Sequence, residues 1–291
     1  MLTRHFIGKP VKVGVGANRS ATAIQFLRKY GYVDSKVCLL DNIYPEGESQ
    51  SNLEKIGAVV LDDGMQHWSL QRDLEIVMVN GLTPWGNCQL APLGPLRETL
   101  SALKRADAVV VHHANLVTEK HLSDVELTLR EVTESLPIFF TGMFASHFFE
   151  VGDIHAKIPL GFSHDAVVLC VSGIGSSNAF VQGMRKVGAR YVHQLDFCDH
   201  HNFQQKDIET IKIKLQELED ALGSKPVVVI TEKDYDRDPR IFSHLSPNKV
   251  LVLCSDLQFI PRGGFSEDNF KALLKELLDA KFSGSYERRR D

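Results

Sequence analysis

Gly57-Ala58-Val59-Val60-Leu61-Asp62-Asp63-Gly64-Met65-Gln66-His67 is the stretch on which the fold turns. A short apolar run ends abruptly in two acids. That is the pattern of a strand delivering carboxylates to the carboxyl edge of a sheet, where open α/β folds place their ligands. In nucleotide-handling folds a carboxylate at that point holds Mg²⁺ directly or through water. The plainer reading is an Asp-Asp-Gly turn behind a buried strand, which is common.

Outward from it, further short runs rich in Val and Ile read as strands, at residues 11–15, 74–79, 108–112, 167–171, 227–230 and 249–253. Most are apolar on both faces, as parallel strands covered by helices on each side must be. Between them lie amphipathic segments. Residues 123–136 carry a stripe of Val125, Leu129, Val132 and Leu136, with Ser123 and Glu126 as a capping box. Residues 207–222 carry Ile208, Ile211, Leu215, Leu218 and Leu222, stopped by Gly223, and residues 267–282 form the last helix. Alternating strands and helices give a layered α/β architecture. Residues 146–164 follow no single period and mark a junction, so we divide the chain into domains at 1–150 and 151–291, the second smaller.

The 291 residues carry a net charge of −4, which argues against a nucleic-acid footprint. The basic run Arg288-Arg289-Arg290 reads as a solvated tail. Five scattered cysteines show no C-x-x-C pair, the usage of a reducing compartment without structural zinc. No stretch approaches the ~18 apolar residues of a membrane span, so contact with a membrane would be at its surface.

Four other segments carry candidate chemistry. In Asn87-Cys88-Gln89-Leu90-Ala91-Pro92-Leu93-Gly94-Pro95-Leu96-Arg97-Glu98, two prolines and a glycine fix a loop that delivers Arg97, a residue suited to phosphate oxygens, and Glu98. Paired with each other, the two would be an ordinary surface couple. Asp199-His200 can form a carboxylate–imidazole dyad, but adjacent side chains make a poor metal site. Thr231-Glu232-Lys233-Asp234 follows an apolar strand, and Lys233 can meet a phosphate or pair with its acidic neighbours. Ser172-Gly173-Ile174-Gly175-Ser176-Ser177 joins a strand to a helix and can cradle an anion, although the third glycine of a dinucleotide fingerprint is missing. A metal-dependent hydrolase would instead need Asp62, Asp63, Asp199 and His200 to converge on one ion.

Taken in order, these segments resemble the tetraacyldisaccharide 4′-kinases. The resemblance rests on Val13-Gly14-Val15-Gly16-Ala17-Asn18-Arg19, on D-D-G-x-Q-H at residues 62–67 with Arg72-Asp73 after it, and on the G-N…P-x-G-P-L-R-E run from Gly86 to Glu98. Asp199-His200 and Thr231-Glu232-Lys233-Asp234 complete it. The wording of these motifs is closer to the plant versions than to the bacterial ones. The resemblance implies transfer of the ATP γ-phosphate to the 4′-hydroxyl of a tetraacyldisaccharide 1-phosphate, with Mg²⁺, giving lipid IVA in lipid A biosynthesis. It implies a P-loop-NTPase-like parallel sheet domain, a lipid disaccharide substrate, peripheral attachment at a membrane surface and a mitochondrial address. It also implies residue roles. Asp62 and Asp63 organise Mg²⁺ and phosphates, Gln66, His67 and Arg19 line the same site, and Arg97 with Glu98 faces the phosphate region. His200 serves the dyad that activates the acceptor hydroxyl, and Asp199 and Lys233 belong to the substrate- and phosphate-binding set.

One departure stands out. The family's glycine-rich loop, G-x-x-x-x-G-K-S/T, does not occur in these residues: Gly8-Lys9 is followed by Pro10, and residues 14–20 have glycines without a lysine. Nor does the acidic G-D-E motif that supplies the dyad's aspartate. The resemblance therefore implies that the sheet lacks its P-loop strand and that residue 1 falls part-way into a typical member. By itself the chain would be inactive, since the phosphate cradle supplies transition-state stabilisation; the alternative is a non-catalytic remnant that binds the lipid disaccharide. Residues 58–61 would then lack a neighbour on one side and expose apolar surface.

Overall fold

The computed structural model describes residues 2–33 and 55–282. Cys38 and the run Arg288-Arg289-Arg290 lie outside the described residues. The chain divides into two compact units: a first, Leu2–Val111, Glu119–Phe140 and Ile260–Asp291, and a second, His112–Thr118 and Thr141–Phe259. The boundary read from the sequence, at 150/151, lies further along, at the last residue of the strand that passes from one unit into the other.

The first unit holds α1 (Leu2–His5), α2 (Arg19–Tyr30), β1 (Ile76–Asn80), β2 (Ala108–His112), α3 (Glu119–Val132), the opening of β3 (Ile138–Glu150) and, later in the chain, a long carboxyl-terminal helix. β1 pairs β2, and β2 runs parallel to β3 with Val109, Val110 and Val111 opposite Ile138, Phe139 and Phe140. All six of these side chains are buried, which is why both strands read as unbroken apolar runs. α3 buries Leu122, Val125 and Leu129. It begins one turn before the expected start. Ser123 does not cap it but donates from Oγ to the Glu119 carbonyl at 3.0 Å, the back-bond of a helix interior. The helix starts early because Leu122 extends the apolar stripe backwards.

Two expected strands are absent. Residues 11–15 and 58–61 form no ladder among the described residues, where pairing nearby is limited to a bridge between Tyr32 and Ile56. A strand exists only when a neighbour takes its N–H and C=O groups, and apolar content alone does not supply one. The exposed apolar surface expected at 58–61 is present: Val60 is 92% exposed, and Val15 in the other segment 93%.

The second unit adds β4 (Asp153–Ile158), β5 (Val167–Ser172), α4 (Ser177–Val187), β6 (Tyr191–Asp196), α5 (Gln205–Leu222), β7 (Val227–Thr231), α6 (Glu232–Arg237) and β8 (Val250–Phe259). Its strands lie in the order β4-β3-β8-β7-β5-β6. β6, β5, β7 and β8 are parallel, while β3 is antiparallel to β8 and to β4. Alternate residues feed two cores. Leu169, Val171, Val228, Ile230, Val250 and Val252 face α5 through Ile208, Ile211, Leu215 and Leu218. Val168, Cys170, Val229, Leu251 and Leu253 face α4 through Phe180, Val181 and Met184. The architecture is mixed α/β with mainly parallel pairing, as the periodicity requires. The last helix, α7 (Glu267–Phe282), closes the first unit, where Phe265 and Phe270 set their rings edge-on to Phe139.

Candidate functional site

In the first unit the acidic turn and the proline-glycine loop meet. The loop is tight. Asn87 Nδ2 donates to the Leu93 carbonyl at 2.9 Å, and a Cβ at Gly94 would stand 2.3 Å from the Gln89 carbonyl oxygen. It presents Arg97, whose Nη1 donates to Asp63 Oδ1 at 2.7 Å and reaches Gln66 Oε1 at 3.4 Å. Gln66 Nε2 donates to Glu98 Oε1 at 2.8 Å, and Arg105 Nη2 bonds both Glu98 oxygens at 2.8 Å. The Arg105 guanidinium lies over Trp68, 4.6 Å from the ring centre. Asp63, Arg97, Gln66, Glu98 and Arg105 thus form one unbroken chain of polar contacts. The Gln66 amide, ahead of Arg105, holds the Glu98 carboxyl below its ordinary range against the cost of burial.

Arg72 holds the turn from beneath. Its guanidinium donates to the carbonyls of Met65, His67 and Leu70 and pairs with Glu75 at 2.5 Å. His67 Nε2 lies 3.2 Å from Ser69 Oγ, which meets Ser20 Oγ of α2 at 3.1 Å. Arg19 folds back onto the Gly16 carbonyl at 2.5 Å and takes no part in the chain of contacts. Asp62 is exposed beside Asp63, whose φ of 52° turns the backbone there. Asp63 and Arg97 are 61% and 59% exposed, so their pairing adds little stability.

In the second unit, the loops after β5, β6 and β7 gather at the carboxyl ends of three neighbouring parallel strands, the place where open α/β sheets bind ligands. The Asp199 carboxylate lies 3.5 Å from Lys233 Nζ and accepts from the His200 N–H at 2.9 Å. Burial pushes the Asp199 carboxyl up, and Lys233, the His200 N–H and the His200 ring outweigh it, so the group is held below its usual range. The His200 ring, 3.8 Å from Asp199 at Nε2, is 74% exposed. Gly175 is pressed close, since a Cβ there would lie 3.1 Å from Asp199 Oδ2.

Sequence reasoning missed what holds this corner. Asp234 is fully buried and accepts from the Gly173 N–H at 3.2 Å and from Thr231 Oγ1 at 2.7 Å. Arg237 Nη1 joins Asp234 at 2.9 Å to the His201 carbonyl at 2.8 Å. His201, not His200, owns a close carboxylate: its Nε2 is 2.8 Å from the buried Asp207. In the sequence, Asp207 looked like the start of an amphipathic helix, and nothing tied it to an imidazole six residues earlier.

The donors fit a magnesium ion. Asp62 and Asp63 offer adjacent, exposed oxygen ligands, and Mg²⁺ is commonly held by one or two carboxylates together with substrate phosphates. Among the described residues no three His, Cys, Asp or Glu side chains gather as a protein-only metal site would require. Nor, among them, is any helix long and apolar enough to cross a membrane.

The profile of the tetraacyldisaccharide-1-P 4′-kinase family matches residues 1–278. A probable mitochondrial tetraacyldisaccharide 4′-kinase of Arabidopsis thaliana is 50% identical over 283 residues, 97% of this chain and 72% of the relative. The chain belongs to the tetraacyldisaccharide 4′-kinase family. Tetraacyldisaccharide 4′-kinases of Halothermothrix orenii and Elusimicrobium minutum are 34% and 31% identical over 60% and 68% of this chain; the chain spans about half the length of each, 47% and 50%. A solved structure of the Aquifex aeolicus member of the family, in complex with ATP, gives a TM-score of 0.44 at 20% identity, over 74% of this chain and 56% of that one. Family members are ATP-dependent phosphotransferases, and the similarity to the mitochondrial plant kinase extends over nearly all of this chain.

Proposed function

We propose that this chain carries the metal-side and acceptor-side groups of a tetraacyldisaccharide 4′-kinase, which moves the γ-phosphate of ATP to the 4′-hydroxyl of a tetraacyldisaccharide 1-phosphate at a membrane surface. The observation that carries the reading is the continuous contact chain from Asp63 through Arg97 and Gln66 to Glu98, all from the segments on which the family likeness rests. Bound by Asp62 and Asp63, Mg²⁺ would neutralise charge on the transferring phosphate. Arg97 places its guanidinium beside those carboxylates, free to trade Asp63 for phosphate oxygens, while Gln66 and Glu98 fix its position. His67, tied through Ser69 to α2, and Arg19 border the same ground.

At the acceptor side, His200 presents an exposed imidazole able to take the proton of a sugar hydroxyl. Asp199 orients it through the backbone and keeps its negative charge, and Lys233 offers a cation to the substrate's phosphate. Peripheral attachment and a mitochondrial address belong to the same reading. We further propose that the 291 residues alone do not transfer phosphate, because no G-x-x-x-x-G-K-S/T run supplies backbone donors to the β- and γ-phosphates. The alternative, a lipid-disaccharide-binding remnant, shares every acceptor-side group.

The test uses two proteins: the chain itself, and a chimera joining it to the part of the Arabidopsis relative outside the match. With Mg-ATP and tetraacyldisaccharide 1-phosphate, lipid IVA should form with the chimera and not with the chain alone. In the chimera, Asp63→Asn and His200→Ala should each lower kcat by about 100-fold or more. A chimera that binds the lipid but makes no product would favour the remnant. Product formation by the chain alone would overturn the proposed inactivity.

A further inference from the structure

The turn that carries Asp199 and His200 also carries a second constellation, which the proposed phosphoryl transfer does not use. The turn closes with the His201 N–H donating to the Cys198 carbonyl at 3.1 Å, which brings side chains three residues apart to one side. Cys198 Sγ then lies 3.7 Å from His201 Nδ1, and the opposite ring nitrogen, Nε2, lies 2.8 Å from Asp207 Oδ2. Cysteine, imidazole and buried carboxylate stand in line.

Three features give this line a direction. Burial pushes the Asp207 carboxyl up, but His201 and the Gln204 N–H outweigh it and keep the group an anion. A carboxylate can only accept, so Nε2 carries the proton and Nδ1 turns its lone pair to the thiol. The ring itself is fixed, stacked on Phe197 at 4.8 Å and met edge-on by Phe203 at 5.2 Å, while Arg237 holds the His201 carbonyl. Finally, Cys198 is free and exposed, so a small reagent can reach the sulfur.

We propose that Cys198 is a nucleophilic thiol, activated by the His201–Asp207 pair, and a site of modification by low-molecular-weight disulfides. The thiol proton passes to His201 Nδ1, and Asp207 balances the imidazolium charge. Sulfur attacks one sulfur of R–S–S–R, forming Cys198–S–S–R as the reagent's S–S bond breaks. The departing RS⁻ takes the proton from His201 and leaves as RSH. The cysteine is oxidised and the released half of the reagent reduced, with no other oxidant entering. The proposal stands on the geometry of the turn and does not depend on the reaction proposed above.

Cys88, also free and exposed, is the internal control. The full chain is treated with 2-hydroxyethyl disulfide near pH 7, quenched with acid and mapped by peptide mass spectrometry. Cys198 should form the mixed disulfide about tenfold faster than Cys88. His201→Gln should bring it down to the rate of Cys88, and Asp207→Asn should give an intermediate rate, each checked by thermal melt for retained fold. Reaction of Cys198 no faster than Cys88 in the unsubstituted chain overturns the proposal, whatever the variants do. So does a folded His201→Gln protein whose Cys198 reacts at the original rate.

Discussion

His113 occupies the left-handed region at φ 63°, its ring 4.1 Å from that of His112 and its Nδ1 buried without a hydrogen bond. Burial, and then the neighbouring His112, push its pKa down from 6.5 to about 4. The unfolded chain takes up this proton near pH 6.5 and the folded protein only near pH 4. The stability linked to His113 is therefore complete above pH 6.5 and is lost progressively as pH falls from 6.5 to about 4. Asn tolerates the left-handed backbone and does not titrate. His113→Asn should therefore narrow the difference in Tm between pH 7 and pH 4.5, measured by thermal melts at both; an unchanged difference would assign that acid sensitivity elsewhere. The same single-residue logic applies to Glu98, which sits between an amide and a guanidinium that both favour its charged form.

At the level of elements, α5 shows how a helix's burial pattern decides its energetics. Ile211 is fully buried against β5 and β7, whereas Ile213, two positions along, is 62% exposed. Ile211→Ala should cost about 3 kcal/mol in chemical denaturation and Ile213→Ala within ~0.5 kcal/mol, though the chemical change is identical. The loop carrying Arg97 is governed by space instead. A Cβ at Gly94 would meet backbone, the Gln89 carbonyl oxygen at 2.3 Å and its carbon at 2.7 Å, which cannot swing aside as a side chain can. Gly94→Ala should displace Arg97 and, in the chimera, lower kcat about tenfold or more with far less change in Tm than Ile211→Ala. Equal kcat would show that the loop adjusts without moving the guanidinium.

For the molecule as a whole, the apolar side chains left in solvent are as informative as the cores. Val15 and Val60 are 93% and 92% exposed, on segments that read as strands and form none among the described residues. Extended apolar segments without partners invite association. The double variant Val15→Thr, Val60→Thr should stay monomeric to higher concentration than the unsubstituted chain, by light scattering, with its melt unchanged. Equal scattering from both would remove these segments as the cause.

Layering and local period were decided by the sequence itself. β2 and α7 have the bounds that pattern alone gives, and β5 and β7 run one residue further, because a strand apolar on both faces and a helix with one apolar stripe carry their own burial requirements. Gly173 and Lys233, just beyond β5 and β7, were placed at strand ends for the same reason. Only the tertiary structure decided the rest. Residues 11–15 and 58–61 have strand-like composition, but a strand is a relation between two segments, and pattern cannot supply the second. The partners of the site residues, Arg105 for Glu98 and Arg237 for Asp234, are polar residues on unremarkable surfaces until the fold brings them into contact. The same is true of the imidazoles. In the chain His200 and His201 are equal neighbours; the turn sends one into solvent beside Asp199 and locks the other between Cys198 and Asp207.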